Sequence, residues 1–461
     1  MPAEAHSQAG PWRENVEALT MAIIMAILLK GFIVEAYRIP TGSMQPTLMG
    51  DETTGVFDRI LVDKLSYQFR EPERFDIVVF RYPLDHSKNF VKRLVGLPGE
   101  HFRIHAGDLW RRDAVDEEWE ILRRPRDVQE STWKELRTRT ATPWTPLAAG
   151  WEAEPLRARG SGRARWGEPN AFVLDHYNDG YPESLRERIR SRFGRSAEYP
   201  VGDLRVAGQV TALPGCRSVS VELGEGRRRY SLRIPGPAAP EGSAPEILVD
   251  GREPDGELLV ERAQSPNAYR LPAAPTAFAA QNLDDLLELF VDGALVCSLE
   301  IPEARDSSGT IHLAVDGEGA DFEDLRVFRD IYYLATQTAE IFIPEGRYFM
   351  LGDNTQDSSD SREWTFARYE VTETLPDGAE RTRVIRGGHR QGENPRRGFD
   401  PELLWFDDQW GEPHHFEIRS AEKLPPEREP FVTRDLILGR ALATFWPIYP
   451  HRDLYRLRFV H

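Results

Sequence analysis

The chain has 461 residues, carries 75 acidic and 58 basic side chains, and has a formal net charge of −17. Phosphate binding needs clustered Lys and Arg in excess, so this balance excludes general nucleic-acid binding. A mean hydropathy of −0.51 excludes a multi-span membrane protein, and two cysteines exclude both a disulfide scaffold and a Cys-rich metal site. The length suits about three domains, and 36 Gly with 34 Pro point to a turn-rich, mainly β chain.

One segment contradicts this average. Ala18 to Leu29 is apolar except for Thr20; Lys30 interrupts it and Gly31-Phe32-Ile33-Val34 resumes it. From about Val16 to Ala36 it is long enough to cross roughly 30 Å of hydrocarbon as a helix, with Lys30 snorkelling to the interface. No Ala-x-Ala-like site follows, which favours an uncleaved anchor over a signal peptide; a buried core helix is the third reading. Arg13 before the span, with Lys30 and Arg38 at its far end, leans by charge toward an outside N-terminus.

Beyond the anchor, Arg59 to Asp63 and Phe75 to Phe80 read as apolar strands, and Leu97-Pro98-Gly99-Glu100 as a turn. Arg124 to Gly167 reads as irregular, with Trp133, Trp144 and Trp151 among polar residues, and Ser184 to Phe193 as a short charged helix. From about Val201 to Tyr333 apolar and polar residues alternate, as in Val219, Val221, Leu223 and in Ile311, Leu313, Val315. Asp292-Gly293 and Asp316-Gly317 mark turns. This spacing predicts a jelly-roll-like β-sandwich, which resembles the laminin-G and concanavalin type in pattern. Glu370 to Glu429 reads as irregular and polar, and Asp435 to Trp446 as apolar.

Three segments carry chemistry. Thr41-Gly42-Ser43-Met44-Gln45-Pro46-Thr47 presents a serine beside a glycine that permits a tight turn. Lys92 lies in an apolar strand with Val91, Leu94 and Val95; burial lowers an amine pKa, so it can be a neutral base near pH 7, and a serine nucleophile needs such a base. Gly352-Asp353-Asn354-Thr355-Gln356-Asp357-Ser358-Ser359-Asp360-Ser361-Arg362 packs hydroxyls, carboxylates and a guanidinium into one loop. His414-His415 belongs to no HExxH pattern, so no zinc-protease motif is present.

In this order the three segments, with the anchor before them and Leu438-Gly439-Arg440-Ala441 after them, resemble the type I signal peptidase family of membrane-anchored Ser/Lys proteases. The resemblance covers about Trp12 to Gly107, Ile341 to Trp364 and Phe431 to about Pro447. It implies Ser43 as nucleophile and Lys92 as general base. Ser358 would hydrogen-bond and orient Lys92, and the Ser43 N–H and Thr41 hydroxyl would form the oxyanion hole. Asp353, Asp360 and Arg362 would support the site. It implies no metal and no cofactor. Thr355, Gln356, Asp357 and Thr365 depart from the family pattern.

The expected fold is mainly β, with one N-terminal transmembrane helix, a signal-peptidase-type catalytic domain and an inserted β-sandwich. The expected division is a cytoplasmic tail 1–15, an anchor 16–36 and catalytic parts 37–124, 334–364 and 431–461. The insertions are 125–333, with the sandwich from about 201, and 365–430. The resemblance implies a membrane-bound serine endopeptidase that removes signal peptides from secretory preproteins with small residues before the cut. It would sit in the inner membrane with its catalytic domain outside the cytoplasm, against the charge lean. Its partners would be preproteins, the lipid bilayer and a carbohydrate or protein ligand of the insertion. The competing reading is an idle family member whose insertion is a binding module. Cys216 and Cys297 share the insertion, where an oxidising compartment would let them pair.

Overall fold

Apolar runs that alternate or persist over five to ten residues become strands here, and helix is scarce beyond the N-terminus. The computed structural model describes residues 11–461 other than 137–142, 148–149, 155, 168–170, 187, 190–197, 253–257, 305–307, 336–339, 375–376, 389–393, 398–399, 401 and 450–453. The expected tail residues 1–10 and part of the expected helix Ser184 to Phe193 lie outside the described residues; of that helix, one turn at Glu183–Arg186 is described.

Among the described residues, an eight-stranded antiparallel sheet runs in the order Val34–Arg38, Arg59–Asp63, Ile437–Trp446, Ile77–Tyr82, Asp85–Gly96, Arg347–Leu351 and Phe431–Thr433, with Arg458–Phe459 beside Ile437–Trp446. Ile77 to Phe80 is an unbroken apolar run because both faces of the sheet are covered. Val78 and Phe80 pack with Met350 and Trp364 on one face. Ile77 and Val79 pack with Met44, Leu48 and Ile60 on the other.

A second, larger sheet folds over on itself as a sandwich. One layer holds Leu258–Gln264, Glu246–Arg252, Arg228–Pro235 and Cys216–Glu225; the other holds Leu204–Ala212, Thr276–Leu283, Leu286–Val291 and Ala294–Glu300. Leu223, Tyr230 and Leu232 meet Phe278, Ala280 and Leu289 in the shared core. The strand Gly309–Arg329 joins the layers, pairing first with Cys216–Glu225 and then with Leu204–Ala212. It bends at Gly317 and Gly319, whose φ values of 106° and 140° suit glycine.

The sandwich begins earlier than about residue 201. Lys134–Leu136, Trp144–Pro146, Glu152–Glu154 and Arg157–Trp166 all join its sheet. The last strand alternates Arg outward with Ala or Gly, a period of two without the β-branched residues that usually mark it. Trp144 and Trp151 fill the core, and a Cβ at Gly160 would stand only 2.5 Å from the Trp151 ring. Cys216 and Cys297 are both buried free thiols.

The stretch after Trp364 is not irregular. Thr365–Thr374, Glu380–Gly388 and Ala421–Arg428 form one three-stranded sheet, and Arg396–Arg397, Leu403–Asp407 and Pro413–Glu417 another. Tyr369 packs edge-on to Phe406 at 5.3 Å and near Phe416 at 5.7 Å. Charged outer faces hide this small core in the sequence.

At the N-terminus, helix Pro11–Leu28 continues into a wider turn, Leu29–Ile33. The expected anchor therefore ends sooner than residue 36, because Val34 to Ala36 pair with Leu61 to Asp63 in the sheet. Among the described residues no helix is long and apolar enough to cross a membrane. Leu19, Met21, Ile23, Ile24, Met25 and Ile27 are all exposed.

Replacing Gly317 with Ala would force a Cβ into the Gly215 carbonyl at a positive φ. Urea melts of Gly317→Ala are expected to show a loss of about 1–3 kcal/mol; an unchanged midpoint would contradict this account of the bend.

Candidate active site

The loop 39–50 is pulled onto the sheet by Met44 and Leu48, both fully buried. The Ile39 N–H donates to the Asp58 carbonyl at 2.9 Å, and the Gln45 N–H to the Gly42 carbonyl at 3.0 Å. The resulting turn leaves Ser43 half-buried at the edge of a cleft of about 640 Å³.

Strand Asp85–Gly96 supplies the neighbouring group. Alternation sends Lys92 and Arg93 to opposite faces. Lys92 is 2% exposed, and its Nζ donates to Ser43 Oγ at 2.5 Å. Burial pushes the amine down to about 8; Asp360 and Asp353 draw it back up, and Arg362 lowers it. An amine near that value can accept a serine proton close to neutral pH.

Strand Arg347–Leu351 brings in the third segment, Leu351 lying opposite Arg93. Arg93 donates to both Asp353 oxygens, at 2.8 and 2.7 Å, with both side chains fully buried. The Thr47 hydroxyl donates to the same carboxylate at 2.6 Å. Burial alone would push the Asp353 carboxyl up, yet Arg93 beside it holds it below its usual value. Arg362 pairs with Asp360 at 2.8 and 2.7 Å, and the Gly352 N–H donates to Asp360 at 3.0 Å. Asn354 ties this loop to the serine turn: its side chain donates to the Gly42 carbonyl at 2.8 Å and its N–H to the Ser43 carbonyl at 3.2 Å.

Ser43, Lys92, Asp353, Asp360 and Arg362 thus come together, and Thr41 lines the same cleft. Ser358 differs from expectation. Its hydroxyl is buried with no hydrogen-bond partner, so it makes no bond to Lys92. It lies against Gly352, where any Cβ on residue 352 would collide both with it and with the Ser43 carbonyl. Arg93, Thr47 and Asn354 were not singled out by the sequence. Arg93 carried a usable signal, a second cation in an apolar strand; the other two carried none.

Residues from both expected insertions, 125–333 and 365–430, reach this site. From the large one, Lys134 Nζ donates to the Asp353 carbonyl at 3.1 Å. The Tyr177 hydroxyl donates to Asp357 at 3.2 Å, and the Tyr181 hydroxyl to Gln45 at 2.9 Å. Gln356 donates to Asp175 at 3.1 Å. Gln356 and Asp357, two of the residues expected to depart from the family pattern, are among the loop residues that meet this stretch. From the second insertion, Gly388, Asn394, Arg396 and Asp407 line the cleft opposite Ser43. Asn394 pins this wall through the Gly388 and Asp407 carbonyls at 3.0 and 2.7 Å.

A serine hydroxyl bonded to a buried lysine, on the side of an open cleft, is the arrangement that a Ser/Lys hydrolase requires. The family described as "Signal peptidase, peptidase S26" matches residues 12–145 and 289–372, which include every residue of this pair and its supporting loop. Those two stretches of the chain are similar to that family.

Curated relatives agree. The chain is 40% identical over 105 residues to the probable signal peptidase I-2 of Synechocystis sp., covering 22% of this chain and 45% of that protein. Over 125 residues it is 35% identical to the probable signal peptidase I-1 of Synechocystis sp., covering 25% and 61%. Over 93 residues it is 42% identical to signal peptidase I of Pseudomonas fluorescens, covering 18% and 31%. The chain therefore spans between about a third and three fifths of these relatives' length. Among solved structures, Caenorhabditis elegans galectin LEC-6 aligns at 10% identity and a TM-score of 0.22, covering 35% of this chain and 94% of that one. The carbohydrate binding module CBM66 from Bacillus subtilis aligns at 11% identity and 0.23, covering 41% and 94%.

Asp353→Ala would leave the Arg93 guanidinium buried without its partner. Denaturant unfolding is expected to show a loss of about 3–5 kcal/mol; a change below about 1 kcal/mol would mean the pair does not hold the loop.

Proposed function

We propose that this protein is a membrane-bound serine endopeptidase of the signal peptidase I type, cutting signal peptides from secretory preproteins. The observation that carries the reading is the 2.5 Å contact between the buried Lys92 amine and the Ser43 hydroxyl, in a chain with two stretches similar to that family.

In this reading neutral Lys92 takes the Ser43 proton as Oγ attacks the scissile carbonyl carbon. The tetrahedral oxyanion is met by the Ser43 N–H and the Thr41 hydroxyl. The lysine proton passes to the leaving amine, which becomes the new N-terminus of the mature protein. Water, deprotonated by the same lysine, then hydrolyses the acyl ester. Asp353, Asp360 and Arg362 hold the loop. Ser358 does not bond Lys92 here, and the carboxylates of Asp360 and Asp353 provide the field that acts on the amine.

Shallow apolar pockets beside Ser43 would admit only small residues before the cut. The exposed apolar helix, with Lys30 at its base, would anchor the chain in the inner membrane. The catalytic body would then lie on the extracytoplasmic side, against the bilayer from which preproteins emerge. The large insertion acts here as a buttress that fixes the serine turn and its supporting loop, through Tyr181 and Tyr177.

Purified protein mixed with a preprotein is expected to release the signal peptide, and Ser43→Ala and Lys92→Ala to abolish the cut. A wild type without cleavage, or a Ser43→Ala variant that cuts equally well, would remove the reading. Because Lys92 works as a base only when neutral, kcat/KM should fall as pH drops below about 8. A flat profile from pH 5 to 9 would exclude it as the base.

The buttress has its own measurement. Tyr181→Phe and Tyr177→Phe should lower kcat, by up to about 100-fold if the serine turn shifts by an ångström, with KM little changed. Equal kcat in both variants would leave the insertion without a positioning role.

A further inference from the structure

The sandwich meets the catalytic body at a second polar site, remote from Ser43. Asp108 comes from the body, on the hairpin that joins His101–His105 to Asp108–Arg112. Asp203 precedes the sandwich strand Leu204–Ala212, and Asp284 sits in the turn between Thr276–Leu283 and Leu286–Val291. Carboxylate oxygens of these three residues lie within 4.8 Å of one another. Among the described residues, none of the three side chains has a hydrogen bond or an ion pair. Asp284 is 2% exposed, and its Oδ2 is sealed from solvent without a partner.

Next to them is a void of about 20 Å³, lined by Asp108, Asp203, Glu225, Asp285 and Asp330. That volume takes one water-sized sphere. The cations facing it are already engaged. Arg124 pairs with Asp330 at 2.5 and 2.6 Å. Arg123 donates to the Asp284 carbonyl at 3.0 Å and pairs with Glu300 at 2.8 Å. Arg228 donates to the Glu303 carbonyl at 2.9 Å. Glu225 accepts from the Tyr230 hydroxyl at 2.8 Å and from Asn282 at 3.2 Å. Burial pushes the carboxyls of Asp108, Asp203 and Asp284 up, the last to about 7. Asp108 and Asp203 line this void and Asp284 lies within 4.8 Å of both, while Arg124 and Arg123, whose charge reaches Asp284, hydrogen-bond or pair with other groups and not with its carboxylate.

We propose that Asp108, Asp203 and Asp284 bind a divalent cation of the calcium class, which fastens the sandwich to the catalytic body. The donors are all hard oxygens. They come from three separate loops, which suits the flexible six-to-eight-oxygen shell of Ca²⁺ better than the rigid octahedron of Mg²⁺. The ion bridges two parts of the chain, so its binding strengthens the docking that places Tyr177 and Tyr181 on the catalytic loops. The proposal stands apart from the peptidase reading, since a cation could be held whether or not Ser43 is active.

The test uses the full chain in detergent, stripped with chelator. Adding Ca²⁺ should raise Tm by several degrees, and Tb³⁺ should give a saturable luminescence signal that Ca²⁺ displaces. In Asp203→Asn and Asp284→Asn the Tm shift should vanish and Tb³⁺ affinity should fall at least tenfold. Asp316→Asn, on an exposed surface pair with Arg217, should behave as wild type. No Ca²⁺ effect on wild type, or the same effect in both Asn variants, would overturn the proposal. So would Asn variants that are simply more stable than a wild type indifferent to Ca²⁺, since the carboxylates would then be holding protons. The wild-type Tb³⁺ titration decides by itself if the variants fail to fold.

Discussion

Everything at the site converges on Asp353. Its carboxylate takes both arms of Arg93 from the strand that carries Lys92, and the hydroxyl of Thr47 from the loop that carries Ser43. Its carbonyl takes Lys134 from the large insertion. One residue thus locks its own loop to three stretches of chain that lie 306, 260 and 219 residues away in sequence. Full burial makes the arrangement all-or-none: an ion pair at 0% exposure is acceptable only while every partner is in place. The register between Leu351 and Arg93 sets that pair, and with it the approach of Lys92 to Ser43.

The chemistry was more legible in the sequence than the architecture, for a physical reason. Ser43, Lys92 and the Gly352–Arg362 loop are dense in polar groups that an ordinary turn or strand has no need for, so they stand out. Ser358 stood out equally, but its hydroxyl lies against Gly352 without a partner, a placement that sequence does not carry. The sandwich was readable where Val, Leu and Ile alternate with polar residues. It was missed from Lys134 to Trp166, where Ala and Gly occupy the inward positions to admit Trp144 and Trp151. The second insertion was misread because its core is only a few aromatic and aliphatic side chains among many charges. At the N-terminus Val34 to Ala36, counted in the expected span, belong to the sheet, since pairing with Leu61 to Asp63 satisfies their backbone groups.

The insertions are not appendages to a finished enzyme-like core. The large one reaches the serine turn and the supporting loop through Tyr181, Tyr177 and Lys134. The second forms the far wall of the cleft, where Arg396 and Asp407 pair at 3.0 Å. The same insertions account for the composition. Their outward strand faces carry the charge that dilutes the apolar helix in the average.

That charge poses a problem which the site resolves. A lysine works as a base only when neutral, and carboxylates nearby hold it protonated. Asp360 and Asp353 both draw the Lys92 amine upward, in a chain with a net charge of −17. Each of the two is matched by a buried guanidinium in bidentate contact, Arg362 for Asp360 and Arg93 for Asp353. Guanidinium stays charged at any working pH, so each pair carries no net charge while still shaping the loop. Burial then dominates, and the amine settles near 8 rather than its ordinary value. Arg362 therefore does more than fix geometry: it offsets part of the field of the carboxylate that it positions.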